Sequence, residues 1–248
     1  MNIKAVGIIL SVSLCSSAPI MAADLSLGLM GGTNSSPYKG VDSKGFVMPL
    51  ISADSQYLYL HTTQGGIHLY RPNQQFQINL FAEYSGTEFK PHDSDNHQMR
   101  LLDHRKPSVY SGLGITFNTG AGRMQASVMY DVFSHSNGWI SKIGYAYPIQ
   151  QGALTLIPSL SVQYNSKHQN QYYYGISSGE ATRSGLSSYQ ADGGLFPTIG
   201  LTARYHITQN WIAQLNGQYT FYNNDITDSP MVDSDYALSA SAGIMYHF

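Results

Sequence analysis

The chain has 248 residues, of which 11% are charged, and its 13 Lys and Arg against 15 Asp and Glu give a formal net charge of -2. Soluble globular domains carry about a quarter charged residues, so most of this surface is not built to face water, and without a basic excess a broad nucleic-acid-binding surface is excluded. The mean hydropathy of -0.19 goes with the absence, after residue 23, of any apolar run near the roughly twenty residues that a membrane-spanning helix needs.

The chain opens with a short basic start, an apolar run over residues 5–14, and a small, polar stretch containing Pro19 that ends at Ala23. That order reads as a secretory signal cleaved after Ala22 or Ala23, giving a signal peptide over residues 1–22 and one domain over 23–248. Leu14 stands where a lipoprotein signal needs a small residue. Cys15, the single cysteine, therefore leaves with the signal, and the mature chain forms no disulfide even in an oxidising compartment.

Beyond the signal, apolar and polar residues alternate with period two, as on strands with one greasy and one wetter face. Leu25, Leu27, Leu29 and Gly31 begin the first strand. Residues 45–53 and 56–62 give two more around a turn at Asp54 and Ser55, and residues 65–70 a short fourth. Clearer alternation follows over 76–84, 109–117, 124–130, 139–147, 154–164, 199–205 and 211–221. In the last segment Tyr236, Leu238, Ala240, Ala242, Ile244, Tyr246 and Phe248 share one face. Aromatics at both ends of such a face suit the two interfaces of a bilayer, and a chain without apolar helices satisfies its backbone in lipid only as a closed barrel. The expected fold class is all-β, a closed antiparallel transmembrane β-barrel of about twelve strands. Pro158 and Pro197 bring no N–H to a ladder, so a bulge or strand end is expected at each.

The connections alternate in length. Residues 53–55, 71–74, 118–121, 148–152 and 207–210 are short, whereas 34–44, 85–106, 132–137, 165–194 and 222–235 are longer; the link near Gln64 alone is short on the long-loop side. This asymmetry places the turns in the periplasm and the loops outside a bacterial outer membrane, in contact with its lipid and lipopolysaccharide. The faces turned from lipid carry Glu83, Arg123, Asp131, Lys142, Arg204 and His206, which must pair or meet water. Twelve strands leave room for a narrow pore or a filled polar core, and the paired core is the expectation.

More specific are three loop segments: residues 96–100 with 102–106; Tyr172, Tyr173 and Tyr174 running on through residues 175–177 to 183–186 and Tyr189; and residues 226–233. With residues 136–138 and 36–38 and the terminal Phe248, they resemble the signatures of the MipA/OmpV family, the MltA-interacting proteins, over essentially the whole mature chain. The resemblance implies an outer-membrane barrel with no catalytic residues to carry over. For one member it implies a scaffold joining a murein lytic transglycosylase to a bifunctional murein synthase, a penicillin-binding protein; other members are surface antigens or adhesins. The expected function is a non-enzymatic scaffold, with a narrow pore or an external ligand-binding loop platform as the alternative.

The loops also hold side chains that suit chemistry. His92, Asp93, Asp95 and His97 are ligand types for zinc without a ligand spacing, and read better as a hydrated loop; no metal or cofactor is expected. Ser94, His97 and Asp103 contain the components of a triad, but nothing in the sequence orients a base or forms an oxyanion hole. Tyr172, Tyr173 and Tyr174 fit either a stacking surface for sugars or the outer aromatic girdle. Arg100, Arg105, Lys106 and Arg183, set against Asp103, Asp228 and Asp233, are expected to tie the loops over the barrel mouth through ion pairs.

Overall fold

The computed structural model describes residues 24–248, and the expected signal peptide lies outside them. Its strands are β1 (Asp24–Asn34), β2 (Lys44–Asp54), β3 (Leu58–His61), β4 (Gln64–Tyr70), β5 (Phe76–Ser85), β6 (Ser108–Thr119), β7 (Gly122–Asp131), β8 (Trp139–Ala146), β9 (Ile149–Gln151), β10 (Leu154–Asn165), β11 (Gly194–His206), β12 (Trp211–Phe221) and β13 (Tyr236–His247). Pairing is antiparallel throughout, and β13 returns to β1 with Leu27 opposite Tyr246 and Asn34 opposite Ser239. Strand β9 continues β8 beyond a break at Tyr147 and Pro148, both lying along β10. The result is a closed barrel of twelve strands.

The alternation in the sequence becomes the two faces of this wall. Tyr84, Tyr130, Trp139 and Tyr236 are exposed near the external ends of their strands, and Tyr205 and Trp211 near the other ends, where aromatic rings sit at the membrane interfaces. Phe248 N–H donates to Leu25 O at 3.0 Å, carrying the seam one residue past the last strand. The interior is less polar than the sequence implied, since Tyr59, Phe81, Tyr110, Met129 and Ile140 form a buried cluster inside the wall. Gly112 is paired with Phe81 on one side and Met129 on the other. A Cβ there would meet Val128 O at 2.0 Å, so the close approach of these strands requires glycine.

Three local expectations are corrected. Pro158 and Pro197 lie in β10 and β11, opposite Leu201 and Val162, with no register shift at either. The Pro158 carbonyl accepts from Tyr147 N at 3.0 Å, so its missing N–H faces the β8–β9 break and little ladder bonding is lost there. Pro197 stands just before Thr198, where pairing to β12 begins. The bulge falls instead between His68 and Tyr70. The turn expected over 148–152 contains β9, and the strand expected over 56–62 shortens to β3, which meets β2 only from Ser52 to Asp54.

Candidate functional site

The long loops fold into a lid. Within residues 165–194 lie helix α1 (Lys167–Tyr174) and helix α2 (Ser178–Ser184), and a short helix α3 (Asn224–Thr227) follows β12. Ser177 opens α2 with a capping box: its hydroxyl accepts from Glu180 N while the Glu180 carboxylate accepts from Ser177 N, which satisfies two otherwise orphaned donors. Gly185 ends the helix at φ 73°. Tyr38, Phe89, Met99, Leu102, Tyr173, Tyr174, Ile176, Phe196, Ile226 and Met231 bury one another, so four of the five long loops, all but 132–137, share a single apolar core. Isolated bridges stitch this core to itself, Tyr38 to Val232, Val41 to Ser94, Phe89 to Arg105 and Ile176 to Tyr189.

Most polar groups inside the lid are matched, although Arg105 Nε and Asn223 Oδ1 are buried without a partner. Arg105 Nη2 donates to Glu180 Oε1 at 2.7 Å and to Gly175 O at 3.0 Å, and Asp103 N also donates to Glu180 Oε1. Burial pushes the Glu180 carboxyl upward, but the Asp103 and Ser177 backbone donors and the Arg105 charge more than offset it and hold it below the usual range. Tyr173 Oη donates to Lys106 O at 3.0 Å, and Ser229 Oγ to Tyr174 O at 2.6 Å. Burial raises the Tyr222 phenol to about 12 although its bond with Tyr174 pulls the other way, so this hydroxyl stays neutral.

Beneath the lid the lumen holds connected spaces. A cavity of about 340 Å³ is bounded by Tyr173 and Tyr174 above and by Glu83 and Lys142 on the wall; a deeper space of about 330 Å³ shares Glu83, Lys142 and Ser161 with it. Lys142 Nζ donates to Glu83 Oε1 at 2.9 Å and Gln64 Nε2 to Glu83 Oε2 at 3.0 Å. Arg204 Nε donates to the Gln214 side chain at 3.0 Å. Neither Arg123 nor Arg204 has a carboxylate within 4 Å among the described residues, so the network expected in the lumen is complete for Lys142 and incomplete for these arginines. Near the periplasmic rim Arg71 bridges to Asp54 at 2.5 Å beside His68.

The sequence-derived residues divide into three groups. Arg105, Asp103, Arg183, Tyr173 and Tyr174 close the lid, with Arg183 Nη2 donating to Asp103 Oδ1 at 2.7 Å and Tyr172 Oη accepting from Lys106 N at 2.8 Å. Tyr173 and Tyr174 are buried, so they form neither an exposed stacking surface nor the outer girdle. His97, Asp228 and Asp233 are exposed, and the ion pairs expected of Asp228 and Asp233 are absent among the described residues; Arg100 lies 3.7 Å from Asp95 instead. Among the expected lumen charges, His206 is exposed at the periplasmic end of β11. Asp131 is not a lumen charge. It is buried at the outer rim, where its carboxylate takes Ser136 N at 2.6 Å, Phe133 N at 3.1 Å and the Ser108 hydroxyl, closing the loop after β7. Ser94 Oγ donates to Lys39 O at 2.7 Å, Asp103 takes Arg183, and neither is bonded to His97, so no triad assembles. Asp93 pairs with Lys44. Sequence reasoning missed the lid helices and Glu180, although Ser177 and Glu180 stand at capping-box spacing.

A family model described as "MltA-interacting protein MipA" matches residues 27–248. The chain belongs to the MipA family. Within that family it is 34% identical to the MltA-interacting protein of Escherichia coli (strain K12) over 241 residues, covering 96% of this chain and 97% of the other. It is 33% identical to the protein named YiaT of the same strain, over 93% and 94% of the two chains. Outer membrane protein OmpV of Vibrio cholerae is 28% identical over 171 residues, 69% and 66% of the two. Among solved structures the NanC porin superposes with a TM-score of 0.52 at 11% identity, covering 90% of this chain and all of that one, a likeness of fold alone. As a MipA-family barrel, the protein resides in the outer membrane.

Proposed function

We propose that this MipA-family barrel is a non-enzymatic anchor that holds murein-processing enzymes at the outer membrane, through its periplasmic rim. The observation that carries the reading is the lid: the external loops bury aromatic residues against one another in a shared core, while the periplasmic rim presents exposed polar groups such as Gln150 and His206. The full-length similarity to a protein named as MltA-interacting supports the choice of a murein lytic transglycosylase, with a bifunctional penicillin-binding protein as the second partner that the family resemblance implies. Ser94 and Asp103 are engaged by Lys39 O and Arg183, and neither is bonded to the exposed His97, which supports a role without catalysis.

Photo-crosslinking in intact cells tests it from two sites, Gln150 in the exposed strand β9 at the periplasmic rim and His97 on the exposed lid surface. Capture of a murein hydrolase or synthase from Gln150, with none from His97, is the expected result. Capture only from His97, of an external ligand or lipopolysaccharide, overturns the anchor and leaves surface binding.

A further inference from the structure

The barrel wall has a window. Strand β3 meets β2 only at Ser52, Ala53 and Asp54, and the tip of the β3–β4 hairpin ends where Thr62 N donates to Ile51 O and Tyr84 N to Thr63 O, both at 2.8 Å. Above that tip the outer part of β2 has β1 on one side and, among the described residues, no strand on the other. Ile51 directs both its N–H and its C=O toward Thr62, and backbone groups on a strand alternate sides. Pro49, Val47 and Gly45 therefore turn theirs into the gap. The N–H and C=O of Gly45 and Val47 and the C=O of Pro49 have no hydrogen-bond partner among the described residues. Val47 is 80% exposed, more than any other large outward-facing apolar residue of the wall. With strands rising about 3.3 Å per residue, this unpaired edge runs for about 15 Å through the outer half of the wall.

Far from being a tear, the gap is framed. Val41 bridges to Ser94, Asp95 N donates to Gly40 O at 2.7 Å, and Lys44 pairs with Asp93, so the lid forms a lintel. Behind the opening lies a cavity of about 580 Å³, flanked by Phe46 on one side and Phe89 on the other, that shares Thr87, Tyr174 and Tyr222 with the cavity under the lid. Unpartnered backbone groups are not tolerated against lipid unless water or a polar molecule meets them. The passage is thus wet along its β2 edge and aromatic on its walls. Pro49 at the inner end of the edge lacks an N–H, which disfavours an added strand. Lys44 and Lys90 at the mouth are each matched by a carboxylate, Asp93 and Glu88, so the opening has no excess charge.

We propose that this window is a lateral portal that admits a single-chain amphiphile with an uncharged polar head from the outer leaflet into the cavity beneath the lid. The polar head meets the free backbone groups of β2, and the chain packs against the half-buried Phe46 and Tyr222. The portal does not depend on the anchoring role, which uses the opposite rim. The test is photolabelling of the full-length mature protein in phosphatidylcholine vesicles, using a monoacylglycerol with a diazirine near its chain end and mapping the adducts by mass. Side chains at Gly45 and Gly86 meet nothing closer than 3.8 Å at Cβ, and at Gly120, in a periplasmic turn, nothing within 4 Å. Gly45→Trp and Gly86→Trp therefore narrow the window without a backbone clash, and Gly120→Trp is the control. Adducts on Phe46 and Tyr222 that disappear in either window variant and persist in the control are expected. Adducts confined to outward residues such as Leu113 and Val128, or cavity adducts unchanged in both folded window variants, overturn the portal. The wild-type adduct map decides the question alone if neither variant folds.

Discussion

Glu180 Oε1 stands 2.7 Å from Arg105 Nη2 inside the lid, with both side chains more than nine-tenths shielded from solvent. The pair joins two loops 75 positions apart and ties the end of one to the capping box of α2. Breaking a buried pair from one side leaves a charge without compensation and costs about 3–5 kcal/mol. Glu180→Ala is expected to release residues 99–106 and 173–184 to fast amide exchange, while the strands keep their protection. Replacing both partners, Arg105→Met with Glu180→Leu, is expected to restore only part of the lid's protection, because no orphan charge remains but the Asp103 and Ser177 N–H groups lose their acceptor.

Acid is expected to loosen the same lid before the wall. Glu180, Glu88 and Asp93 are all held below their ordinary values despite burial, by the Asp103 and Ser177 donors, by Lys90 and His104, and by Lys44 respectively. A depressed folded-state value stabilises above the unfolded value, about 4.5 for Glu and 3.8 for Asp, and that contribution is lost as pH falls through the folded value. Lid exchange, corrected for the intrinsic pH dependence of the amides, should therefore be flat from neutrality down to the unfolded values and rise below them. Glu180→Gln should flatten part of that rise. A lid equally protected across the acid range would contradict the assignment.

The wall was legible because period-two alternation is imposed by lipid on one side, so each strand declared itself by its greasy face, as Tyr236, Leu238 and Ala240 do. The short link near Gln64 was also visible as an exception, although its consequence, an unpaired β2 edge, depends on register and could not be read from one strand. The lid was less legible. Its helix α1 has the sequence KHQNQYYY, with no apolar stripe, and is held by packing of Tyr173 and Tyr174 with distant loops rather than by local periodicity. Asp131 misled because its alternation phase is inward, whereas its fate was decided by three residues of the following loop. Arg183 and Asp103 were both in the set of opposite charges named without assigned pairs, and they do pair, but Arg105 found Glu180, which that set did not include.

Tyr173 and Tyr174 bound the cavity under the lid from above, and the lid supports a barrel closed to ions. The wild-type protein in planar bilayers is expected to show no discrete conductance. Replacing both tyrosines with Ala removes two buried aromatic side chains, a loss of about 3–5 kcal/mol each in a packed core, and is expected to produce discrete steps. In that opened background Arg123→Gln should shift ion preference toward cations, because Arg123 has no neutralising carboxylate within 4 Å among the described residues. Steps already present in the wild type would make the lid a gate instead of a seal.

Gly112 offers a test of the wall itself. Phe81 and Met129 are buried on either side of it, and the space that a Cβ would take is filled by the backbone of β7 at Val128. Overpacking of this kind costs typically about 1–3 kcal/mol, and here the obstacle is backbone, which cannot rotate away as a side chain can. Gly112→Val is expected to reduce the fraction that migrates as a folded barrel on unheated gels. Gly217, which lies opposite Leu201 and Ala240 on the lipid-facing side of the wall and has nothing within 4 Å of its added Cβ, should tolerate Ala without loss. If Gly112→Val folds as well as Gly217→Ala, the close approach of β6 and β7 is not what glycine serves at this position.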